Sequence, residues 1–139
     1  MHQIKQNLIL VNLFLIFGLN SNIYGSSVNA STFGWNATNA TTAFVNAINS
    51  ANDTIVIDKQ VSNWMVNSTN FYLLNNKTIV FENEVNLVAI PGAFSGIYAS
   101  LMTLYECNNV KIIGYGATFK MQKNEYIALN NSEHRHCIQ

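Results

Sequence analysis

The chain of 139 residues has little charge of either sign. Charged side chains make up 10% of it, and 7 basic residues balance 7 acidic ones. A neutral chain lacks the salt-dependent attraction to phosphate on which nucleic-acid binders depend. No run of Lys or Arg marks an anionic membrane surface either. Nucleic acid is therefore not expected as a partner.

The composition also excludes a disordered chain and leaves room for one domain at most. Apolar residues make up 49% and aromatic residues 12% of the sequence. Disordered chains contain few aromatics and bury too little apolar surface to offset the loss of chain entropy. We therefore expect a folded unit, or a part of one.

Apolar runs long enough for a membrane-spanning helix are missing as well. The apolar stretch Leu8–Gly18 is broken only by Asn12, follows a short segment with one Lys and one His, and precedes the small and polar residues Leu19–Ser27. A spanning helix needs about 20 apolar residues. The three-part pattern predicts a cleaved signal peptide over residues 1–27, with Gly25–Ser27 or Val28–Ala30 as the cleavage region. The remaining residues 28–139 are then secreted and free of the membrane.

Two cysteines are present, and they support no zinc site, because neither a Cys-X-X-Cys motif nor a Cys/His ligand spacing exists. Cys107 and Cys137 form an even pair in a compartment that is predicted to be oxidising. A disulfide is therefore allowed. Two free thiols are an equal alternative.

Asparagine is abundant, and seven of the 22 Asn residues begin an Asn-X-Ser/Thr triplet in which X is not Pro. In a eukaryotic secretory pathway such residues accept glycans. Triplets also arise by chance in a chain so rich in Asn, and a buried Asn amide can instead satisfy backbone groups in stacked turns. The candidate acceptors are Asn29, Asn36, Asn39, Asn52, Asn67, Asn76 and Asn130.

Beyond the signal peptide, the pattern predicts one short helix followed only by strands. Apolar residues recur at helical spacing from Ala40 to Ala51, with Thr38, Asn39 and Thr41 as candidate N-caps. The rest of the chain consists of short β-branched or aromatic runs separated by turns rich in Asn, Ser and Gly. The predicted strands are Thr54–Ile57, Trp64–Val66, Phe71–Leu74, Thr78–Phe81, Asn86–Ala89, Leu101–Tyr105, Val110–Ile113 and Ala117–Met121.

These runs repeat with a nearly constant period. Asn52–Ile57 recurs about 24 residues later as Asn76–Phe81, and a second step of similar length leads to Met102–Tyr105. A second series runs through Met65-Val66, Leu87-Val88 and Lys111-Ile112. Such a period is typical of a solenoid, and three strands per turn favour a parallel β-helix. A leucine-rich repeat is not supported, because the chain contains no Leu-x-x-Leu-x-Leu string. A two-sheet sandwich is the structural alternative.

Five short motifs follow one another along the chain: Phe33-Gly34, the helix with Thr42-Ala43-Phe44, Thr54–Ile57, Asn109–Phe119 and Glu133–His136. This order resembles the N-terminal portion of a secreted right-handed parallel β-helix protein of the pectate lyase-like superfamily. In such proteins a helix covers the first coil, and Asn-Val-x-Ile-x-Gly-x-Gly-Ala-x marks an early coil. The chain departs from the pattern at Ala40-Thr41, where Asp-Asp is common, and at His134, where Trp is usual. The resemblance implies an all-β, right-handed parallel β-helix with a short N-terminal capping helix.

The resemblance also implies a role in binding or cleaving extracellular polysaccharide. Lyases of this kind perform β-elimination with Ca²⁺ on the uronate carboxylate and an Arg or Lys as the base. Glu133, Arg135 and His136 are the candidate catalytic residues, because they form the one tight cluster of ionisable side chains. On a strand Glu133 and Arg135 share a face, where they can bind a ligand or form a surface pair worth under about 1 kcal/mol. A hydrolase needs paired carboxylates, and the two aspartates are Asp53 and Asp58, the latter interpreted as a turn residue.

Two other functions stay open at this point: a catalytically inert carbohydrate-binding or structural extracellular protein, and the remnant of a truncated gene. Eight runs at three per turn make only two to three coils, whereas a solenoid needs at least about three repeats and a cap at each end. We therefore expect an incomplete β-helix that does not cleave polysaccharide by itself. Aromatic side chains that can stack on sugar rings are Trp35, Trp64, Phe71, Tyr72, Tyr98, Tyr105, Tyr115 and Tyr126.

Overall fold

The computed structural model describes residues 25–128 and 135–139. They form a 3-10 turn (Ala30–Phe33), helices α1 (Thr41–Ile48) and α2 (Lys123–Ala128), and nine short strands. The strands are β1 (Ser27–Asn29), β2 (Thr54–Ile57), β3 (Trp64–Val66), β4 (Asn70–Tyr72), β5 (Asn75–Phe81), β6 (Asn86–Ala89), β7 (Thr103–Tyr105), β8 (Asn108–Ile113) and β9 (Thr118–Lys120). The predicted signal peptide up to residue 24, Asn130 and Glu133 lie outside the described residues.

The described strands form three parallel sheets. The first sheet has the order β1-β2-β5-β8, the second β3-β6-β9, and the third β4-β7. Successive passes of the chain visit the sheets in the same order, and a parallel bridge between Met102 and Ile138 returns the chain to the third sheet. The protein is therefore all-β with parallel sheets and few helices, an arrangement that is compatible with a parallel β-helix.

Alternating apolar residues explain why β2 and β5 pair as they do. Ile55 and Ile57 of β2 are buried, as are Ile79 and Phe81 of β5, while the residues between them are half-buried. In a strand every second side chain points to the same face, so one register buries both apolar sets together. Ile55 aligns with Ile79 and Ile57 with Phe81. The predicted repeat is confirmed for this pair.

The predicted third members of both series are wrong. The strand expected at Met102–Tyr105 starts at Thr103 and pairs with β4 in the third sheet, not with β5. Lys111 and Ile112 belong to β8 in the first sheet, not to the second series. In that second series β3 and β6 do pair, but Met65 aligns with Val88 and the register differs by one residue from the prediction.

A longer connection between β6 and β7 causes these differences. Thr78 follows its partner Thr54 by one period of the repeat, and one further period would lead to Met102. The next partner of Thr78 is instead Lys111, which lies well beyond Met102 in the chain. The extra residues lie in this connection, and a connection lengthens at small entropic cost. The number of residues between paired strands therefore changes from one pass of the chain to the next, although the strands still add to the same sheet.

A short helix, α1, lies where the sequence predicts one, but none of the predicted N-caps Thr38, Asn39 and Thr41 occupies the N-cap position. It begins at Thr41, whose backbone N–H donates to Asn39 Oδ1 at 3.0 Å, and the residue at the N-cap position is Ala40. Helix α2, near the end of the chain, was not expected, so the prediction of strands alone after the first helix is wrong.

Phe44 of α1 inserts an aromatic ring between the three sheets. Its ring centre lies 6.5 Å from that of Trp64, 6.0 Å from that of Phe71 and 6.4 Å from that of Phe81. These partners belong to β3, β4 and β5, one in each sheet, and all four side chains are buried. Tilted and edge-on ring pairs at such distances are favourable. Helix α1 thus packs one side chain against all three sheets.

A buried lysine joins β5 to the segment after α1. Lys77 Nζ donates to the backbone carbonyl oxygens of Ser50 and Asn52, both at 2.7 Å. Burial lowers the pKa of Lys77 below its ordinary value, and the nearby Asp53 opposes that shift. The two hydrogen bonds satisfy carbonyl groups that the helix and the following turn leave unpaired.

Candidate functional site

Two tyrosines form a stacked pair on the outer face of the third sheet. Tyr72 of β4 aligns with Tyr105 of β7, and their ring centres lie 4.9 Å apart with an angle of 11° between the planes. The side chains are 62% and 44% exposed. Phe71, one residue earlier, is buried, because neighbouring residues of a strand face opposite sides. We call Tyr72 and Tyr105 the tyrosine pair.

The same bend follows each tyrosine and holds both rings at equivalent places. Leu73 and Glu106 are the next residues, and both have left-handed backbone conformations, with φ of 56° and 50°. Leu73 N–H donates to the carbonyl oxygen of Tyr105 at 3.0 Å. Because two successive coils turn in the same way, the rings stack in register. Both tyrosines are among the eight aromatic residues that the sequence offers as candidates for stacking on sugars, but their pairing was not predicted.

A signal for this pairing was present in the sequence. Asn75-Asn76 follows Tyr72 at the same spacing as Asn108-Asn109 follows Tyr105. In the structure Asn75 aligns with Asn108, and Asn109 Nδ2 donates to Asn76 Oδ1 at 2.8 Å. The repeated Tyr-x-x-Asn-Asn string therefore marks the offset between these two coils.

Arg135, a candidate catalytic residue, lies between the β6–β7 loop and α2. Its Nε donates to the carbonyl oxygen of Phe94 at 2.8 Å, and Nη2 donates to that of Ser95 at 3.3 Å. The guanidinium carbon lies 4.6 Å from the centre of the Tyr126 ring, a cation–π distance. Nη1 is buried and has no hydrogen-bond partner within the described parts of the chain. Through these contacts Arg135 links the β6–β7 loop to α2, and we call this arrangement the Arg135 clamp.

A cavity of about 320 Å³ lies beside this clamp. Glu125 of α2 closes one side of it by accepting a hydrogen bond from Gly92 N–H at 2.9 Å. Burial raises the pKa of the Tyr126 hydroxyl above its ordinary value. The lining residues are Gly92, Phe94, Ser95, Glu125, Tyr126 and Ala128.

The other members of the predicted cluster are placed as follows. His136 is exposed, and its backbone carbonyl accepts a hydrogen bond from Leu101 N–H at 3.2 Å. Glu133 lies outside the described residues, so its expected pairing with Arg135 stays a prediction. The chemistry that the structure supports for Arg135 is binding of carbonyl oxygens and an aromatic ring.

No cofactor is evident from the sequence, and the resemblance allows Ca²⁺, whose ligands can be sought only in residues 25–128 and 135–139. No three His, Cys, Asp or Glu side chains come together there, whereas Ca²⁺ prefers several oxygen ligands, chiefly carboxylates. Asp58 has a structural role, because its Oδ1 accepts a hydrogen bond from Ser31 N–H at 3.0 Å and its carbonyl accepts one from Trp64 Nε1. We derive no step through a metal ion.

Both cysteines are free thiols in the structure. Cys137 is half-buried, and burial raises the pKa of its thiol. Its Sγ contacts the carbonyl oxygen of Phe119 at 3.9 Å, while Cys107 Sγ contacts that of Tyr105 at 3.4 Å. Cys137 also packs against the hydrophobic core, and a thiol with a raised pKa is less often ionised at neutral pH.

Comparison of the chain with family models, with curated proteins and with solved structures found no match in any of the three. Among the described helices, none has the length and apolar character needed to cross a membrane.

Proposed function

We propose that the chain forms coils of a secreted right-handed parallel β-helix that binds extracellular polysaccharide. The observation that carries this proposal is the exposed, stacked tyrosine pair on the third sheet. The motif order that resembles the pectate lyase-like superfamily supports the same substrate class. Secretion is supported by the three-part N-terminal pattern of the sequence.

The sheet topology supports the solenoid. Three parallel sheets are visited in the same order by successive passes, as stacked coils require. Connections between parallel strands of one sheet are right-handed in about 98% of cases, because a right-handed strand twist favours that return path. This preference supports a right-handed coil.

The tyrosine pair supports sugar binding by stacking. Each ring covers one face of the other, which leaves one face of each ring for a ligand. Strand β4 is at the edge of the described third sheet, and Tyr72 is the more exposed of the two. A sugar ring placed on the free face of Tyr72 would extend the stack, and the phenol hydroxyls would offer hydrogen bonds.

The contacts of Arg135 support binding without cleavage. A guanidinium that acts as a base in β-elimination must reach the carbon-bound proton of the substrate. Arg135 instead donates two hydrogen bonds to loop carbonyls and packs on Tyr126. Removing it from these partners would leave two carbonyl oxygens without their donors.

Titration with soluble polysaccharides tests the proposal. Affinity electrophoresis and calorimetry with polygalacturonate, xylan and β-glucan should detect binding to at least one of them. Tyr72→Ala and Tyr105→Ala should each weaken it about fivefold, since an aromatic stack contributes about 1 kcal/mol. Tyr115→Ala is the matched control, because Tyr115 is 88% exposed on the turn between β8 and β9.

Two outcomes would contradict the proposal. Equal loss in all three tyrosine variants, or no binding to any of the polysaccharides, would remove the tyrosine pair as a binding surface. Cleavage is measured in parallel as the absorbance of unsaturated products from polygalacturonate with Ca²⁺, and none is expected. Product formation that disappears in Arg135→Ala would replace binding by a lyase activity.

A further inference from the structure

The Asn-X-Ser/Thr triplets differ in their accessibility. Asn36-Ala37-Thr38 is the single triplet among the six described ones in which all three residues are exposed. In the other five at least one residue is buried or half-buried. The least exposed residues of those triplets are Ala30, Ala40, Asn52, Thr54, Thr69 and Lys77.

The local hydrogen bonds orient the Asn36 side chain. Its Oδ1 accepts hydrogen bonds from Thr38 N–H at 2.9 Å, from the Thr38 hydroxyl at 2.7 Å and from Asn39 N–H at 3.2 Å. Such turns, in which an Asn side chain accepts from backbone N–H groups just after it, are common in loops. No residue of the described ranges accepts a hydrogen bond from Asn36 Nδ2, so this nitrogen faces solvent.

Other triplets lie closer to the packed parts of the fold. Asn52 is half-buried, and its Nδ2 donates to Ser50 Oγ at 3.1 Å. Asn76 Oδ1 accepts from Asn109 Nδ2, and both residues have left-handed backbones. Asn67 is half-buried, and its backbone N–H donates to Thr41 Oγ1 at 2.9 Å. An oligosaccharide on Asn52 Nδ2 would have to displace its hydrogen bond to Ser50, and one on Asn67 would have to draw out a half-buried side chain.

We propose that Asn36 carries an N-linked oligosaccharide and that Asn52 and Asn67 carry none. In this transfer Asn36 Nδ2 forms a bond to C1 of the first sugar of a lipid-pyrophosphate-linked oligosaccharide. The bond between C1 and the pyrophosphate oxygen breaks, the lipid pyrophosphate leaves with the electron pair, and a base of the transferase takes the amide proton. The Thr38 hydroxyl polarises the amide by donating to Oδ1. The inference depends on secretion but not on sugar binding by the tyrosine pair.

The experiment is expression of the full chain in a eukaryotic secretory host and, in parallel, its translation with microsomes. Glycans are released enzymatically in heavy-oxygen water, which labels each former acceptor, and peptides are analysed by mass spectrometry. Position 36 should carry the label in the wild type and in Thr38→Ser, which keeps the hydroxyl. Thr38→Ala and Asn36→Gln should lose the label and one glycan step on a gel.

Three results would overturn the assignment: an unlabelled position 36, label at Asn52 or Asn67, or a chain without any glycan. Asn76→Gln is a control that should leave the label at position 36 unchanged. The polysaccharide titrations use unglycosylated chain from a bacterial host, so failure of one proposal does not imply failure of the other.

Discussion

Replacement of Phe44 by Ala tests whether α1 holds the first coil together. Phe44 is fully buried and contacts one aromatic ring from each sheet. Truncating a buried Phe to Ala costs about 3–5 kcal/mol, from lost transfer energy and from the cavity that remains. A value near the upper end is expected here, because the surrounding rings belong to three different sheets and cannot all move inward.

That loss is a large share of the whole stability. Domains of this size unfold with about 5–15 kcal/mol, so Phe44→Ala removes roughly a third or more of it. Phe44→Leu keeps most of the volume and should cost about 1–2 kcal/mol. Asn46→Ala, on an exposed position of the same helix, is the control and should change the unfolding free energy by at most about 0.5 kcal/mol.

Urea unfolding followed by tryptophan fluorescence measures these changes, since Trp64 lies 6.5 Å from Phe44 and reports on the same core. If the unfolding free energy depends on urea concentration with the same slope but the midpoint of unfolding lies at less urea, the variant has lost stability and its unfolded state is unchanged. If Phe44→Ala unfolds within about 1 kcal/mol of the wild type, α1 does not close the coil and the reasoning is refuted.

Two further substitutions test the turns and the buried lysine. Gly116→Ala should destabilise by about 1–2 kcal/mol in thermal melts, because φ is +76° there and the new Cβ would overlap Asn83 Oδ1. Gly114→Ala, whose new Cβ would meet only ordinary contacts, should be close to neutral, and equal effects at both glycines would contradict this account. Burial lowers the folded-state pKa of Lys77 below the usual 10.5, so the unfolded chain binds more protons between the two values. The stability of the wild type relative to Lys77→Met should therefore rise with pH towards 10.5, and a flat or falling difference would count against a desolvated lysine.

Local elements of the fold were readable from the sequence alone. The bounds of β2, β3 and β6 match the predicted runs Thr54–Ile57, Trp64–Val66 and Asn86–Ala89. Each is a short β-branched or apolar run between turn residues, which depends only on neighbouring positions. The offset of β5 from β2 was readable too, because no long loop separates them.

The partners of the later strands were decided only by the tertiary structure. The β6–β7 connection lengthens the offset between coils, as the pairing of Thr78 with Lys111 shows, and a constant period assigns Met102–Tyr105 to the wrong sheet. A ladder pairs whole strands by hydrogen bonds and buried faces, whereas loop length has little effect on stability. The spacing of a repeat in the sequence is the sum of strand length and loop length, so it does not show which strands pair.

In the candidate site, too, the residue types could be read from the sequence, whereas their partners could not. The residue type of Arg135 and its place in an ionisable cluster could be read from the sequence, but its partners are the backbone carbonyls of Phe94 and Ser95. Every residue has such a carbonyl, so no pattern of side chains marks the acceptors. Tyr72 and Tyr105 were each visible as aromatics, and only the stacking of two coils brings their rings to 4.9 Å, because the alignment of strands from successive coils is a property of the folded sheet.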